Sequence, residues 1–294
     1  MTLLVRDEED ILEYNICYHL NQGVDFIVAI DNGSTDGTVQ ILEKYQKKKV
    51  LSYSIIKKHT YEQDVWVSQM AKEAVKKYGA THLFHCDADE FWFPTKGNIK
   101  DQSVNIKDVA YVPLINYIPP DINIKKFSFN NFHYIVSNPI PYTNLPHKSE
   151  SSKVLIYEYP KKVMTTNKFT NIDYGNHKVK YTGKYQIQLI KNIFIHHFSI
   201  RSYTNFQKKV IKGGSAFLKN PLRDPNIGWQ WKRWYALYLK NKLKEEYDKI
   251  SLKKTLLKYL KNNIIRRTRV PITIKYSKII YIFTEIKNKF TKFL

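Results

Sequence analysis

Two carboxylates stand one residue apart in the run Asp87-Ala88-Asp89-Glu90-Phe91-Trp92, directly after the apolar segment His82 to Cys86. On an irregular strand end, carboxylates at i and i+2 can serve one divalent cation, one directly and the other through water or a ribose hydroxyl. Mg2+ and Mn2+ take one or two protein carboxylates and fill the rest of the octahedron with water and phosphate oxygens, which suits a nucleoside diphosphate. The same tripeptide also occurs as a plain Asp-rich turn. A second acidic turn, Asp31-Asn32-Gly33-Ser34-Thr35-Asp36, closes another apolar run. Asp31 can accept hydrogen bonds from a base or a ribose, and Asp36 can contact a nucleotide or cap the helix that follows. The third cluster is His196-His197, which precedes Arg201. A neutral imidazole at a strand end can complete the coordination of a metal already held by a carboxylate. Neighbours on a strand face opposite sides, so at most one of the two histidines points at a site.

These residues need elements that bring them together. Residues 2–5 read as a strand, and apolar residues from Ile11 to Leu20 recur at helical spacing up to Gly23. Phe26 to Ile30 is a buried-type strand, Thr38 to Lys48 a helix and Val50 to Ile56 a strand. Gln63 to Tyr78 is a helix closed by Gly79, and His82 to Cys86 a fourth strand. Strands alternating with helices at this spacing predict a parallel sheet covered on both faces. In such sheets ligands sit beyond the carboxyl ends of the strands, where Asp31 and Asp87 fall. Past residue 95 the alternation gives way to short β-like runs and Pro-punctuated loops, with a helix expected from Ser202 to Lys219 and amphipathic Lys-rich segments such as Leu252 to Ile265.

The 294 residues carry a net charge of +22, unevenly spread. Residues 1–95 hold 10 basic and 15 acidic side chains, whereas residues 240–294 hold 16 and 4. The asymmetry suggests a first part built to hold a cation or a nucleotide–metal pair, followed by parts that meet anions, although a solvated lysine surface explains the excess equally well. Two cysteines, Cys17 and Cys86, do not make a secreted disulfide framework. No run of about 18 apolar residues is present and the chain starts without a signal-peptide pattern, so a cytoplasmic protein, peripheral to the membrane at most, is expected.

Taken in order, the segments LLVRDEEDILEYNICYHLNQGVDFIVAIDNGSTDGT and THLFHCDADEFWFP resemble GT-A glycosyltransferases of the family 2-like and family 92-like group. A looser likeness continues through Gly175-Asn176-His177-Lys178-Val179 and HHFSIRSYTNFQKKVIKGG. The resemblance implies a GT-A fold: an α/β, Rossmann-like, mostly parallel sheet flanked by helices. It divides the chain into a catalytic domain over 1–239, with a nucleotide-sugar half (1–95) and an acceptor half (96–239), and a basic helical extension over 240–294. It further implies hexosyl-type transfer from a nucleotide-sugar, a UDP-sugar foremost, to a glycan, lipid-linked or protein acceptor, with Mn2+ or Mg2+ on the diphosphate. By position, Asp31 binds the nucleoside, Arg6 and Glu8 line the nucleotide pocket with Asp36 nearby, and Asp87 takes the ribose or the metal. Asp89 and His197 take the metal, and Arg201 and Lys209 neutralise the leaving diphosphate. Inversion is the stereochemistry the group suggests. It requires a general base, with Glu90, Asp173 and Glu150 as the leading candidates and Glu158 and Asp224 behind them.

Trp229, Trp231, Trp234, Tyr111 and Tyr117 are read chiefly as core and secondarily as stacking surfaces for sugars. The basic extension either holds the chain near anionic lipid or is a solvated helical surface. Two rivals stand beside the transferase. A basic nucleic-acid-binding protein explains the charge but leaves the acidic strand ends without a purpose, and a non-catalytic scaffold keeps the fold alone.

Overall fold

The computed structural model describes residues 1–57, 62–120, 124, 126–141, 151–218, 228–251 and 253–274. Its first part alternates as the hydrophobic pattern requires: β1 (Thr2–Val5), α1 (Leu12–Asn21), β2 (Ile27–Asp31), α2 (Thr38–Lys47), β3 (Leu51–Ile55), α3 (Gln63–Tyr78), β4 (His82–Asp87) and β5 (Glu90–Pro94). β1 pairs in parallel with both β2 and β4, and β2 with β3. β2 shows why its sequence is apolar throughout. Ile27 and Ala29 pack in the core that holds α1, whereas Val28 and Ile30 face Trp66, Val67 and Met70 of α3, so both faces are buried. α3 stops at Gly79, whose φ of 65° is a left-handed conformation that glycine adopts without strain.

The middle of the chain supplies α4 (Ile99–Ser103), β6 (Val109–Val112), β7 (Leu114–Asn116), β8 (Tyr134–Val136), β9 (Lys162–Thr166), β10 (Phe169–Ile172), β11 (Val179–Tyr181), β12 (Ile187–Leu189) and β13 (Ile193–His197). The main sheet has seven strands in the order β12-β6-β9-β4-β1-β2-β3. β9 runs antiparallel to both of its neighbours, and the other pairings in the sheet are parallel. Reversal brings the start of β9, not its end, to the carboxyl ends of the other strands. A smaller sheet, β5-β13-β7, carries His197 beside Glu90 in register.

The last described elements are α5 (Tyr203–Leu218), α6 (Trp229–Leu239), α7 (Leu243–Ser251), α8 (Lys253–Lys261) and β14 (Ile265–Arg267). The boundary expected at residue 240 is not a break in packing. Leu243, Tyr247 and Ile250 share a core with Leu155, Phe206 and Trp234, and β14 pairs with β8. The expected helical extension thus contains a strand, and its described part is built into the body. Trp234 and Tyr117 are buried core residues, in line with their expected role. Among the described residues no helix is long and apolar enough to cross a membrane.

Candidate active site

The loop after β1 and the turn after β2 fasten to each other through their polar residues. Asp7, at a φ of 53°, accepts from the backbone N–H of Thr35 at 2.8 Å and donates its own N–H to Ser34 Oγ at 2.8 Å. Glu8 N–H donates to Thr38 Oγ1 at 2.9 Å. Asp36 accepts from Thr38 N at 3.0 Å and Glu9 N at 3.2 Å, so its two oxygens tie the loops together. Asp31 is fully buried. Its Oδ2 accepts from the N–H groups of Gly33 and Ser34, both at 3.0 Å, while Oδ1 has no hydrogen-bond partner among the described residues. A buried acceptor left open in this way is suited to a ligand N–H or O–H. Arg6 donates to Asn32 Oδ1 at 3.3 Å, alongside the same turn.

Against this acidic rim lies the basic face of α5 and the segment before it. Arg201, 2% exposed, forms a fork onto Asp10, with Nε and Nη2 each 2.7 Å from a carboxylate oxygen, and Nη2 also reaches Glu8 at 2.5 Å. Lys209 stands 3.0 Å from Glu8 and 2.6 Å from Asp89, and Lys212 pairs with Asp7. The acidic first third and the basic later parts of the sequence meet here. Burial alone would raise the Asp89 pKa, but Lys209, His197 and Arg201 together hold its carboxyl far below the usual range. Burial pushes the Glu8 carboxyl up in spite of Arg201 and Lys209.

His197 is set by a second layer of contacts. Asn116 donates its amide N–H to the Leu155 carbonyl at 3.2 Å, which leaves its amide oxygen to accept from His197 Nδ1–H at 2.7 Å. The Nε2 lone pair is therefore turned to Asp89 Oδ1, 3.7 Å away. Desolvation lowers the His197 pKa to about 4, so the ring is neutral at neutral pH. His196 points the other way and shares a hydrogen bond with Tyr117 Oη at 2.9 Å, as strand alternation requires.

The expected trio of Asp87, Asp89 and His197 is not assembled. Among the described residues no three His, Cys, Asp or Glu side chains are grouped as a metal site. Asp87 faces Lys162 at 2.6 Å and Gln63 at 3.4 Å instead. Asp89 and His197 remain as a two-donor pair. That fits a Mg2+- or Mn2+-like ion, which takes one or two protein ligands and completes its shell with water and phosphate.

Of the base candidates, Glu90 is corrected to a brace. It is 1% exposed, one oxygen lies 2.7 Å from Lys162, and the other accepts from Asp87 N–H at 3.3 Å, so neither is open to an acceptor. Asp173 lies on the β10–β11 hairpin, 39% exposed and 3.9 Å from Lys180. Glu150 and Asp224 lie outside the described residues. Gly175, at a φ of 72°, donates to Gln63 at 3.3 Å and so links this hairpin to Asp87.

Sequence reasoning missed Lys162, Asn116 and Asp10. Lys162 had no local signal among 48 basic residues, and Asn116 ends a three-residue strand. Asp10 belonged to an acidic run already in view, and an acid that follows Glu8 by two could have been named.

Residues 4–101 match the family model described as Glycosyl transferase family 2. Over that third of the chain the protein is similar to family 2 glycosyltransferases. The matched stretch runs from the second half of β1 through β5 and holds the loops carrying Arg6, Glu8, Asp31, Asp87 and Asp89, and the largely parallel sheet flanked by helices is the arrangement expected of a GT-A fold. No curated protein matches the chain significantly. Among solved structures, S. aureus TarS 1-349 in complex with UDP-GlcNAc shares 13% identity over 99% of this chain and 90% of its own, with a TM-score of 0.40. The UDP complex of the same protein gives 11% identity over 100% and 91%, at 0.37. HddC from Yersinia pseudotuberculosis gives 11% identity over 70% and 96%, at 0.35. These loose overlays transfer no residue role.

Proposed function

We propose that the protein transfers a sugar from a nucleotide-sugar, a UDP-sugar foremost, to a hydroxyl of a glycan, lipid-linked or protein acceptor. The observation that carries this reading is the convergence of Asp89, His197, Arg201 and Lys209 at the strand ends, beside the open Asp31 oxygen. In this reading Asp31 Oδ1 accepts from the nucleoside. Arg201 and Lys209 keep Asp89 ionised and place positive charge where the diphosphate leaves. A Mn2+ or Mg2+ ion held by Asp89 and His197 would supply further charge compensation to the departing diphosphate. A pocket of about 430 Å3, lined by Tyr111, Pro160, Lys161, His177 and Leu189 among others, opens next to Lys162 and gives an acceptor room beside the donor. Asp173, 39% exposed, and Glu158, 52% exposed and 3.9 Å from pocket-lining Lys161, are the accessible carboxylates that could take the base role in an inverting transfer. The basic C-terminal part offers a contact with anionic membrane at exposed Leu257, Lys258 and Lys261, testable by salt-reversible sedimentation with anionic vesicles.

The test is nucleotide release from UDP-, GDP-, CMP- and dTDP-sugars with Mn2+ or EDTA. Metal-dependent release from one donor, lost in Asp89→Ala, is expected. Silence across the panel with salt-sensitive binding of DNA or RNA would replace the proposal with the nucleic-acid reading.

A further inference from the structure

Asp87 and Asp89 are two residues apart and each has a lysine ammonium 2.6 Å from its Oδ2, yet their second oxygens stand in different surroundings. Lys162 is 4% exposed, and its ammonium lies 2.6 Å from Asp87 Oδ2 and 2.7 Å from Glu90 Oε1. It cannot easily swing aside, because Lys162 is paired in register with Val112 and begins the reversed strand β9. Asp87 Oδ1 is met from another direction by Gln63, which is itself buried and held by the Gly175 N–H. Drawing Asp87 towards an ion would leave a buried ammonium with Glu90 alone and bring two cations close together, and both changes cost free energy. Asp89 is paired as well, but through one oxygen: Lys209 and Arg201 meet its Oδ2 at 2.6 Å and 3.8 Å, whereas its Oδ1 meets no hydrogen-bond donor among the described residues and looks at the His197 Nε2 lone pair 3.7 Å away, so it can take an ion without giving up Lys209.

We propose that Lys162 is a resident counter-cation that holds Asp87 out of the metal's coordination shell, leaving Asp89 and His197 as the two protein ligands. This rests on the metal-dependent reading above and assigns the first carboxylate of the pair to Lys162. Replacing Lys162 would then free Asp87 as an additional ligand.

The experiment measures Mn2+ affinity in the presence of UDP, by the loss of the free-ion electron paramagnetic resonance signal, for the wild type and the variants K162Q, D87N, D89N and K162Q/D87N. The expected order is a Kd lower by about five- to tenfold in K162Q, within about twofold of wild type in D87N, and raised about tenfold or more in D89N. The double variant should return to the wild-type value. D87N keeps the size of the side chain, so it reads the proposal even where K162Q folds poorly. A Kd raised as much by D87N as by D89N overturns the Lys162 assignment while leaving the transferase reading intact. A wild type that binds no Mn2+ with UDP removes the metal reading and this assignment with it.

Discussion

His197 is a ligand-grade imidazole only because Asn116 fixes its tautomer. With the Asn116 amide oxygen removed, Nδ1–H loses its acceptor and Nε2 is no longer held towards Asp89. Asn116→Ala should therefore weaken Mn2+ binding by about 10- to 100-fold, read by the same titration, with the unfolding midpoint changed far less than the affinity. An affinity within twofold of wild type would show that His197 needs no orienting partner. The residue scale is also where sequence reading failed in an instructive way. Asp31, Asp89 and His197 were legible because strand ends and short motifs locate them, and Arg201 and Lys209 through the family resemblance. Lys162 and Asn116 were not, because their roles depend on burial against residues 75 and 81 positions away, and local pattern carries no such information.

At the scale of elements, the first 87 residues could be read almost to the residue, since buried strands alternating with amphipathic helices leave little freedom, whereas β5 over Glu90–Pro94 was not foreseen. One boundary moved for a physical reason: Asp31 lies inside β2, paired with Ile55, rather than just past it. The reversed strand β9 could not be foreseen, because the direction of a short strand leaves no trace in its side-chain alternation. Helix α5 was legible, but its close docking on α6 was not. The packing depends on Gly214, where an added Cβ would overlap Tyr235 Cβ and lie 3.1 Å from the Trp231 carbonyl oxygen. Gly214→Ala should destabilise the fold by about 1–3 kcal/mol and lower turnover by displacing Lys209, whereas Ser215→Ala on the same turn, at a half-buried side chain whose hydroxyl bonds only the Lys212 carbonyl, should do little by comparison. Urea midpoints of the two variants check this, and equal midpoints would refute it.

At the scale of the molecule, four buried histidines and the half-buried His177 set the response to pH. His177, His196 and His197 have pKa values lowered to about 4, and His19 and His85 to about 3, in each case chiefly by desolvation. An unfolded chain binds those protons near pH 6.5, so it gains protons before the folded one does. Their contribution to stability is complete above about pH 6.5 and is lost as pH falls from there towards 4 and 3. Glu8 and Glu90, whose carboxyls are raised chiefly by burial, act with the opposite sign, but two groups oppose five. The urea midpoint should thus fall steeply between pH 6.5 and 4, and a midpoint constant over that interval would contradict the assignment. The ion pairs that complete the site also span the chain, with Lys162 reaching Asp87 across 75 residues, Lys209 reaching Asp89 across 120 and Arg201 reaching Glu8 across 193. Contacts of such separation pay their loop-closure entropy late. During synthesis, then, strands β1–β4 can form their sheet while the cluster of carboxylates is still without counter-ions. Catalytic competence would be acquired in a single late step, when residues 201–212 have been made and dock, so that an incomplete chain carries the motif without the enzyme.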